Sequence, residues 1–293
     1  MTKKDAWRSL YPFASRYLPT PSGRIHYLDE GPRVDRPVLM VHGNPTWSFY
    51  FRELIQVLAP TRRCLALDHI GCGLSDKPEH FGDSGLETHI DNLQRLVDSL
   101  NLPAFDLAVH DWGGAIGLGL AGRMPERVGR ILIMNTAAFP SRRLPLRIRI
   151  CRWPKLGDFL MLRGNAFLRG ALSMAVRKPL DSEVLSGYKF PYRTRAGRLA
   201  ALRFVRDIPM RESHPSMPAL RKVERGLGML SEKPMLICWG LRDFCFNRHF
   251  LEEWRNRMPE AEVLAFENAG HWVLEDARAD VLRAARAFFN AQR

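Results

Sequence analysis

Short, continuous apolar runs recur along the first half of the chain, separated by stretches whose apolar residues fall at helical spacing. Pro37–Val41 is a run of the first kind, the mark of a strand covered on both faces; Cys64–Leu67, a third run at Phe105–Val109 that includes Asp106, and Arg130–Asn135 also read as strands. Residues 24–31 predict an earlier strand running into a turn. After His42-Gly43-Asn44-Pro45, the aromatics Trp47, Phe49, Tyr50 and Phe51 predict a helix. Leu86, Ile90, Leu93, Leu96, Val97 and Leu100 share one helical face, and Trp112–Gly122 predicts the helix after the third run. Strands alternating with helices imply an α/β fold, a mostly parallel central sheet flanked by helices.

The rhythm changes near Asn135. From there to about Pro218 the pattern holds helical pieces broken by proline and glycine, with no clear strand. So long a stretch does not remain coil in a compact domain. The sheet resumes at Lys233–Gly240, followed by a helix around Arg248–Met258 and a strand at Glu262–Phe266. A last helix carries Val281, Leu282, Ala285, Phe288 and Phe289 on one face. The expected organisation is a core of residues 1–135 and 219–293, with a helical cap at 136–218 inserted into it.

Composition narrows the class. At 293 residues, 46% hydrophobic and 26% charged, the chain has the make-up of an enzyme with one sizeable core. Five cysteines without C-x-x-C or zinc spacing predict free thiols in a reducing compartment and no metal site. The first residues lack a signal-peptide pattern, and no apolar stretch is long enough to span a bilayer, so a cytoplasmic location is expected.

The net charge of +13 and a pI near 10.0 are unusual. Between Ser141 and Lys178, the basic residues Arg142, Arg143, Arg147, Arg149, Arg152, Lys155, Arg163, Arg169, Arg177 and Lys178 face Asp158 as the one acid. Leucines, isoleucines, Trp153 and Phe159 are interleaved with them. A solvated face, an anionic membrane surface and an acidic protein partner all fit such a segment. No nucleic-acid-binding fold accompanies it, which argues against nucleic acid.

The candidate chemistry sits at strand ends. Asp111 stands where the run ending at Val109 gives way to a helix, the geometry of a nucleophile elbow, with Val109 in place of the usual first glycine. An aspartate capping a helix looks the same locally. As a nucleophile, a carboxylate forms an ester by displacing a leaving group at carbon. Asp243 follows the run ending at Gly240, and His271 follows the last predicted strand. The order nucleophile, acid, histidine is that of the α/β-hydrolase triad, and all three lie beyond the carboxyl ends of strands, where such sheets place their ligands.

Four stretches carry a resemblance: His42-Gly-Asn-Pro-Thr-Trp-Ser48, Asp68-His-Ile-Gly-Cys-Gly-Leu-Ser-Asp-Lys-Pro78, His110-Asp-Trp-Gly-Gly114 and Gly270-His271. On these the chain resembles the haloalkane dehalogenase branch of the α/β-hydrolases over nearly its full length. Ser9–Ala14, Asn135–Pro140, Leu202–Pro209 and Ile237–Asp243 make it most similar, within that branch, to the β-lactone decarboxylases of bacterial long-chain olefin biosynthesis. The resemblance implies an α/β-hydrolase fold with an inserted helical cap and no cofactor. It implies that Asp111 attacks carbon, that Asn44 and Trp112 bind the departing anion, and that His271 is the base oriented by Asp243. It further implies a long-chain hydrophobic substrate, with cis-alkene and carbon dioxide as products. The other olefin-pathway enzymes are the implied partners, in a multienzyme assembly reached through the basic cap. The alternatives are a haloalkane dehalogenase or an epoxide hydrolase working through an Asp111 ester, the latter with Tyr188 or Tyr192 as cap tyrosines. A non-catalytic scaffold subunit is a third, which the intact triad argues against.

Overall fold

The computed structural model describes residues 3–33, 36–78 and 85–291. Eight strands form one sheet: β1 (Arg16–Thr20), β2 (Gly23–Glu30), β3 (Val38–Val41), β4 (Cys64–Leu67), β5 (Phe105–His110), β6 (Val128–Met134), β7 (Met235–Gly240) and β8 (Glu262–Phe266). Their order is β1-β2-β4-β3-β5-β6-β7-β8. Strands β4 through β8 are mutually parallel along that order, while β1 and β2 pair antiparallel at one edge.

Strands β3, β4, β5 and β7 are buried at every residue, which is why all but β5, with its buried Asp106 and His110, read as unbroken apolar runs. Alternate side chains feed opposite cores. Leu39 and Val41 join the helices Leu86–Ser99 and Trp112–Arg123 on one face of the sheet. Val38 and Met40 join the helices Arg52–Leu58 and Arg278–Asn290 on the other.

Two local readings change. β1 had no expected counterpart: it is an exposed edge strand carrying Pro19, so it lacks the apolar alternation that marks a half-buried strand. The aromatic run after Pro45 is a single 3-10 turn, Ser48–Phe51, wholly buried, and the α-helix begins only at Arg52.

Between β6 and β7 the described chain contains helices and turns but no strand. Its inner side forms a small core of its own, which includes Ile148, Met161, Leu168, Tyr192 and Leu202. The last helix of this stretch, Met217–Gly226, leaves the insertion and packs on Trp112–Arg123, with Gly122 and Gly226 at the closest approach. Because β6 and β7 are parallel, Met217–Gly226 carries the chain back to the start of β7, and the rest of the insertion extends from the end of β6, at the carboxyl edge of the sheet.

Candidate active site

Five loops at that edge converge. Asp111 follows β5 in a strained left-handed conformation, φ 52° and ψ −127°, which turns its carboxylate out of the strand and above the start of the helix Trp112–Arg123. The turn is held by Asp111 N–H donating to the Asn135 carbonyl at 3.2 Å and by the Thr136 hydroxyl donating to the Asp111 carbonyl.

Close approach at two neighbours requires glycine. A Cβ on Gly113 would lie 1.9 Å from the Val41 carbonyl oxygen, and one on Gly43 would lie 2.2 Å from Asp111 Oδ1. The expected first glycine of the elbow is displaced rather than lost. Val109 keeps its side chain because Gly117, on the facing helix, leaves room; a Cβ there would lie 2.7 Å from Val109 Cγ1.

The sequence-predicted residues meet in one place. His271 Nδ1 and Asp243 Oδ2 are 2.8 Å apart, and His271 Nε2 lies 3.4 Å from Asp111 Oδ2. The Asn44 backbone N–H donates to Asp111 Oδ1 at 2.6 Å, which leaves Oδ2 as the oxygen facing the histidine. Asp111, Asp243, His271 and Asn44 are all buried. Asn44, Asp111, Trp112 and His271 line a cavity of about 180 Å³. Its remaining wall is mainly apolar, with Phe139, Phe167, Val205, Phe246 and Phe250 among the contributors.

Burial works against charge on His271, but Asp243 and Asp111 outweigh it and raise the imidazole to about 10. Burial likewise raises the Asp111 carboxyl, yet the hydrogen bond and charge of His271 hold it below the usual carboxylate range. His110, beneath them, is pushed down to about 3, by burial first and then by the His271 charge. Both shifts favour Asp111 as a carboxylate paired with His271 as an imidazolium.

The Asn44 side-chain amide donates to the Ala201 carbonyl of the insertion at 3.2 Å, which ties the core loop to the roof. Trp112 packs beside Phe204, ring centroids 5.5 Å apart and planes tilted by 59°. Neither Tyr188 nor Tyr192 lines the cavity among the described residues. Tyr188 instead stacks on Trp272 and donates to Glu275. The aspartate of the second sequence motif, Asp68, is scaffolding. It accepts from Ser48 N–H at 2.7 Å and Leu74 N–H at 2.8 Å, and it pairs with His26.

One supporting residue had no assigned role in the sequence. Asn135 donates to Asp243 Oδ2 at 2.9 Å and to the Gly240 carbonyl at 3.1 Å, and accepts from Gly240 N–H at 2.8 Å. Its φ of 27° belongs to the left-handed region that asparagine tolerates better than most residues. The available signal was an asparagine directly after an apolar strand.

The profile of the α/β-hydrolase fold family matches residues 36–277. A cis-3-alkyl-4-alkyloxetan-2-one decarboxylase from Shewanella oneidensis is 43% identical, over 96% of this chain and 89% of that protein. Its counterpart from Xanthomonas campestris is 39% identical, over 95% and 96%. Among solved structures, a haloalkane dehalogenase loop variant from Bradyrhizobium elkanii superposes with a TM-score of 0.85 at 25% identity, covering 94% of this chain and 96% of that one. The chain belongs to the α/β-hydrolase fold family and, within it, to the haloalkane dehalogenase-like branch that includes the oxetanone decarboxylases.

Proposed function

We propose that the protein is a β-lactone decarboxylase that converts long-chain cis-3,4-dialkyl oxetan-2-ones to cis-alkenes and carbon dioxide. The observation that carries the chemistry is an aspartate at the nucleophile elbow that lines an apolar cavity, with His271 Nε2 3.4 Å from its Oδ2. The choice of a lactone over a halide rests on the two decarboxylase relatives.

In this reading Asp111 Oδ2 attacks the ring carbon that bears the ring oxygen. The carbon–oxygen bond breaks, and its electron pair leaves as a carboxylate near the Asn44 amide and the Trp112 indole N–H. The bond between that carboxylate and the neighbouring carbon then breaks to release carbon dioxide. Its electrons form the alkene, and the Asp111 ester bond breaks to return the aspartate. Inversion at the attacked carbon followed by anti elimination converts a cis lactone to a cis alkene. No proton is transferred, so His271 serves as a cation that stabilises Asp111 as the departing carboxylate, and Asp243 orients it. Attack at the lactone carbonyl, giving an anhydride with Asp111, is the competing route; mass spectrometry of a trapped Asp111 adduct separates the two.

Product analysis with a synthetic long-chain cis-β-lactone tests the function. The wild type is expected to give the cis-alkene, and Asp111→Ala to lose activity by roughly a thousandfold or more. Undiminished alkene formation by the variant removes Asp111 from the mechanism. Halide release from haloalkanes and diol release from epoxides are the parallel assays for the hydrolase alternatives.

The reading extends to location and partners. The five cysteines are free, in keeping with a reducing cytoplasm. No helix among the described residues is long and apolar enough to cross a membrane. The basic face of the cap supplies the charge complement for an acidic enzyme of the same olefin-forming sequence, within a multienzyme assembly that passes on water-insoluble intermediates.

A further inference from the structure

Asp276 is buried, yet it forms no salt bridge with any lysine, arginine or histidine among the described residues. Its carboxylate is filled by backbone N–H groups instead. Arg177 N–H donates to Oδ1 and Oδ2 at 2.8 and 2.9 Å, and Lys178 N–H donates to Oδ1 at 3.1 Å. From the other side, Gly270 N–H donates to Oδ2 at 2.7 Å. Arg177 and Lys178 belong to the helical insertion, whereas Gly270 directly precedes His271.

Adjacent bonds strengthen the same junction. Trp272 N–H, just after the histidine, donates to the Ala175 carbonyl at 2.8 Å. A Cβ on Gly270 would lie 2.7 Å from that carbonyl, so only glycine lets the two segments meet. Ala171, Met174 and Ala175 line the catalytic cavity immediately before this junction. The neighbouring acid is engaged elsewhere, since Glu275 pairs with Arg52 at 2.7 Å and receives the Tyr188 hydroxyl.

We infer that Asp276 is a positioning residue that locks the cavity roof and the His271 loop into one unit, so that the roof sets the placement of the histidine. The chemistry selects a carboxylate. Every neighbour of Asp276 named above is a donor, and an ionised carboxylate offers acceptors alone; charge-assisted bonds to backbone N–H are strong. An asparagine of the same shape would turn an NH₂ group toward an N–H group. The inference rests on His271 taking part in turnover, as proposed above.

Asp276→Asn tests it with two measurements. The first is kcat and KM on the long-chain β-lactone beside the thermal midpoint. A displaced histidine is expected to lower kcat roughly tenfold to a hundredfold, because small misplacements of reacting groups carry such costs. The second needs no substrate: the low-field proton resonance of the His271 Nδ1–H bond to Asp243, followed by NMR in the free enzyme. It is expected to shift upfield or broaden, with faster amide exchange across 170–178. A lower thermal midpoint with unchanged kcat and an unchanged imidazole signal would make Asp276 a latch for stability only and overturn the inference. Because the NMR arm is read without lactone, a failure of the decarboxylase assignment is distinguishable from a failure here. If Asp276→Asn does not fold, Arg177→Pro deletes one N–H on the roof side alone. It is expected to raise KM and move the same imidazole signal, and no change in either likewise overturns the proposal.

Discussion

His271 lies between two carboxylates, and this sets how activity should depend on pH. Its imidazole is raised to about 10 because Asp243 and Asp111 outweigh the cost of burial, and Asp111 is held below the usual carboxylate range despite burial. The active resting form is then imidazolium with carboxylate across the whole neutral range. The kcat/KM profile for the lactone is expected to be flat there, to fall on the alkaline side as His271 loses its proton near 10, and to fall on the acid side only below the ordinary carboxylate range. A profile that climbs with pH toward a plateau above 10 would show that the neutral imidazole is the working form. Asn135 belongs to the same row, since it donates to the Asp243 oxygen that also faces His271. Asn135→Ala removes that donor from a buried carboxylate and puts alanine at a φ of 27°. The expected destabilisation is roughly 1–3 kcal/mol, read from the denaturant midpoint, together with a loss of kcat. Asn135→Gly relieves the backbone and isolates the side-chain part; activity equal to wild type in that variant would leave Asn135 no role in holding Asp243.

The elbow shows which elements are legible in a sequence and which are not. β3, β4, β5 and β7 announce themselves because burial on both faces demands mainly apolar residues. Asp111 and Asp243 were legible because each stands just past such a run, and His271 because it follows the last strand, β8. β1 escapes that logic, being exposed at an edge where packing imposes no pattern. The partners Asn135 and Asp276 escape it for another reason. Their contacts depend on which strands lie side by side, β5 next to β6 and β6 next to β7, and on how the insertion returns to the sheet, none of which is written in local spacing. The Val109–Gly117 exchange is an intermediate case. The missing first glycine is visible in the sequence, but its compensation lies on the next helix. Gly117→Ala is expected to cost roughly 1–3 kcal/mol by overpacking against Val109. Combined with Val109→Ala it should cost less than the sum of the two single changes, since the smaller strand residue frees the same space. Thermal or denaturant unfolding of the four proteins of this cycle measures the coupling, and strict additivity would mean that the two positions do not share a contact.

At the scale of the molecule, the positive charge and the exposed apolar surface coincide. Leu146, Trp153, Leu156 and Phe159 are 65%, 52%, 43% and 60% exposed, four of the six large hydrophobic side chains that stand out from the described surface. Arg142, Arg149 and Lys155 are exposed among them, and Asp158, the one acid of the segment, is paired with Arg206 at 2.9 Å. The helix Leu146–Cys151 has two sides: Leu146 and Arg149 face outward, while Ile148 and Cys151 are buried in the cavity wall. A solvated face has no need of exposed tryptophan and phenylalanine, whereas a docking face uses such anchors with arginine around them. Reversing Arg142, Arg149 and Lys155 to glutamate alters the outer side without touching Asp111, Asn44, Trp112 or His271. The variant is expected to turn over a dispersed short-chain β-lactone at the wild-type rate. It is also expected to lose affinity for an acidic enzyme of the olefin-forming sequence, an affinity that in the wild type should fall steeply with salt, because exposed charges are screened over about 8 Å at physiological ionic strength. Titration against the candidate partner and, separately, against anionic phospholipid vesicles distinguishes protein docking from lipid binding. If neither titration changes on charge reversal, the face is solvated surface and the docking reading fails.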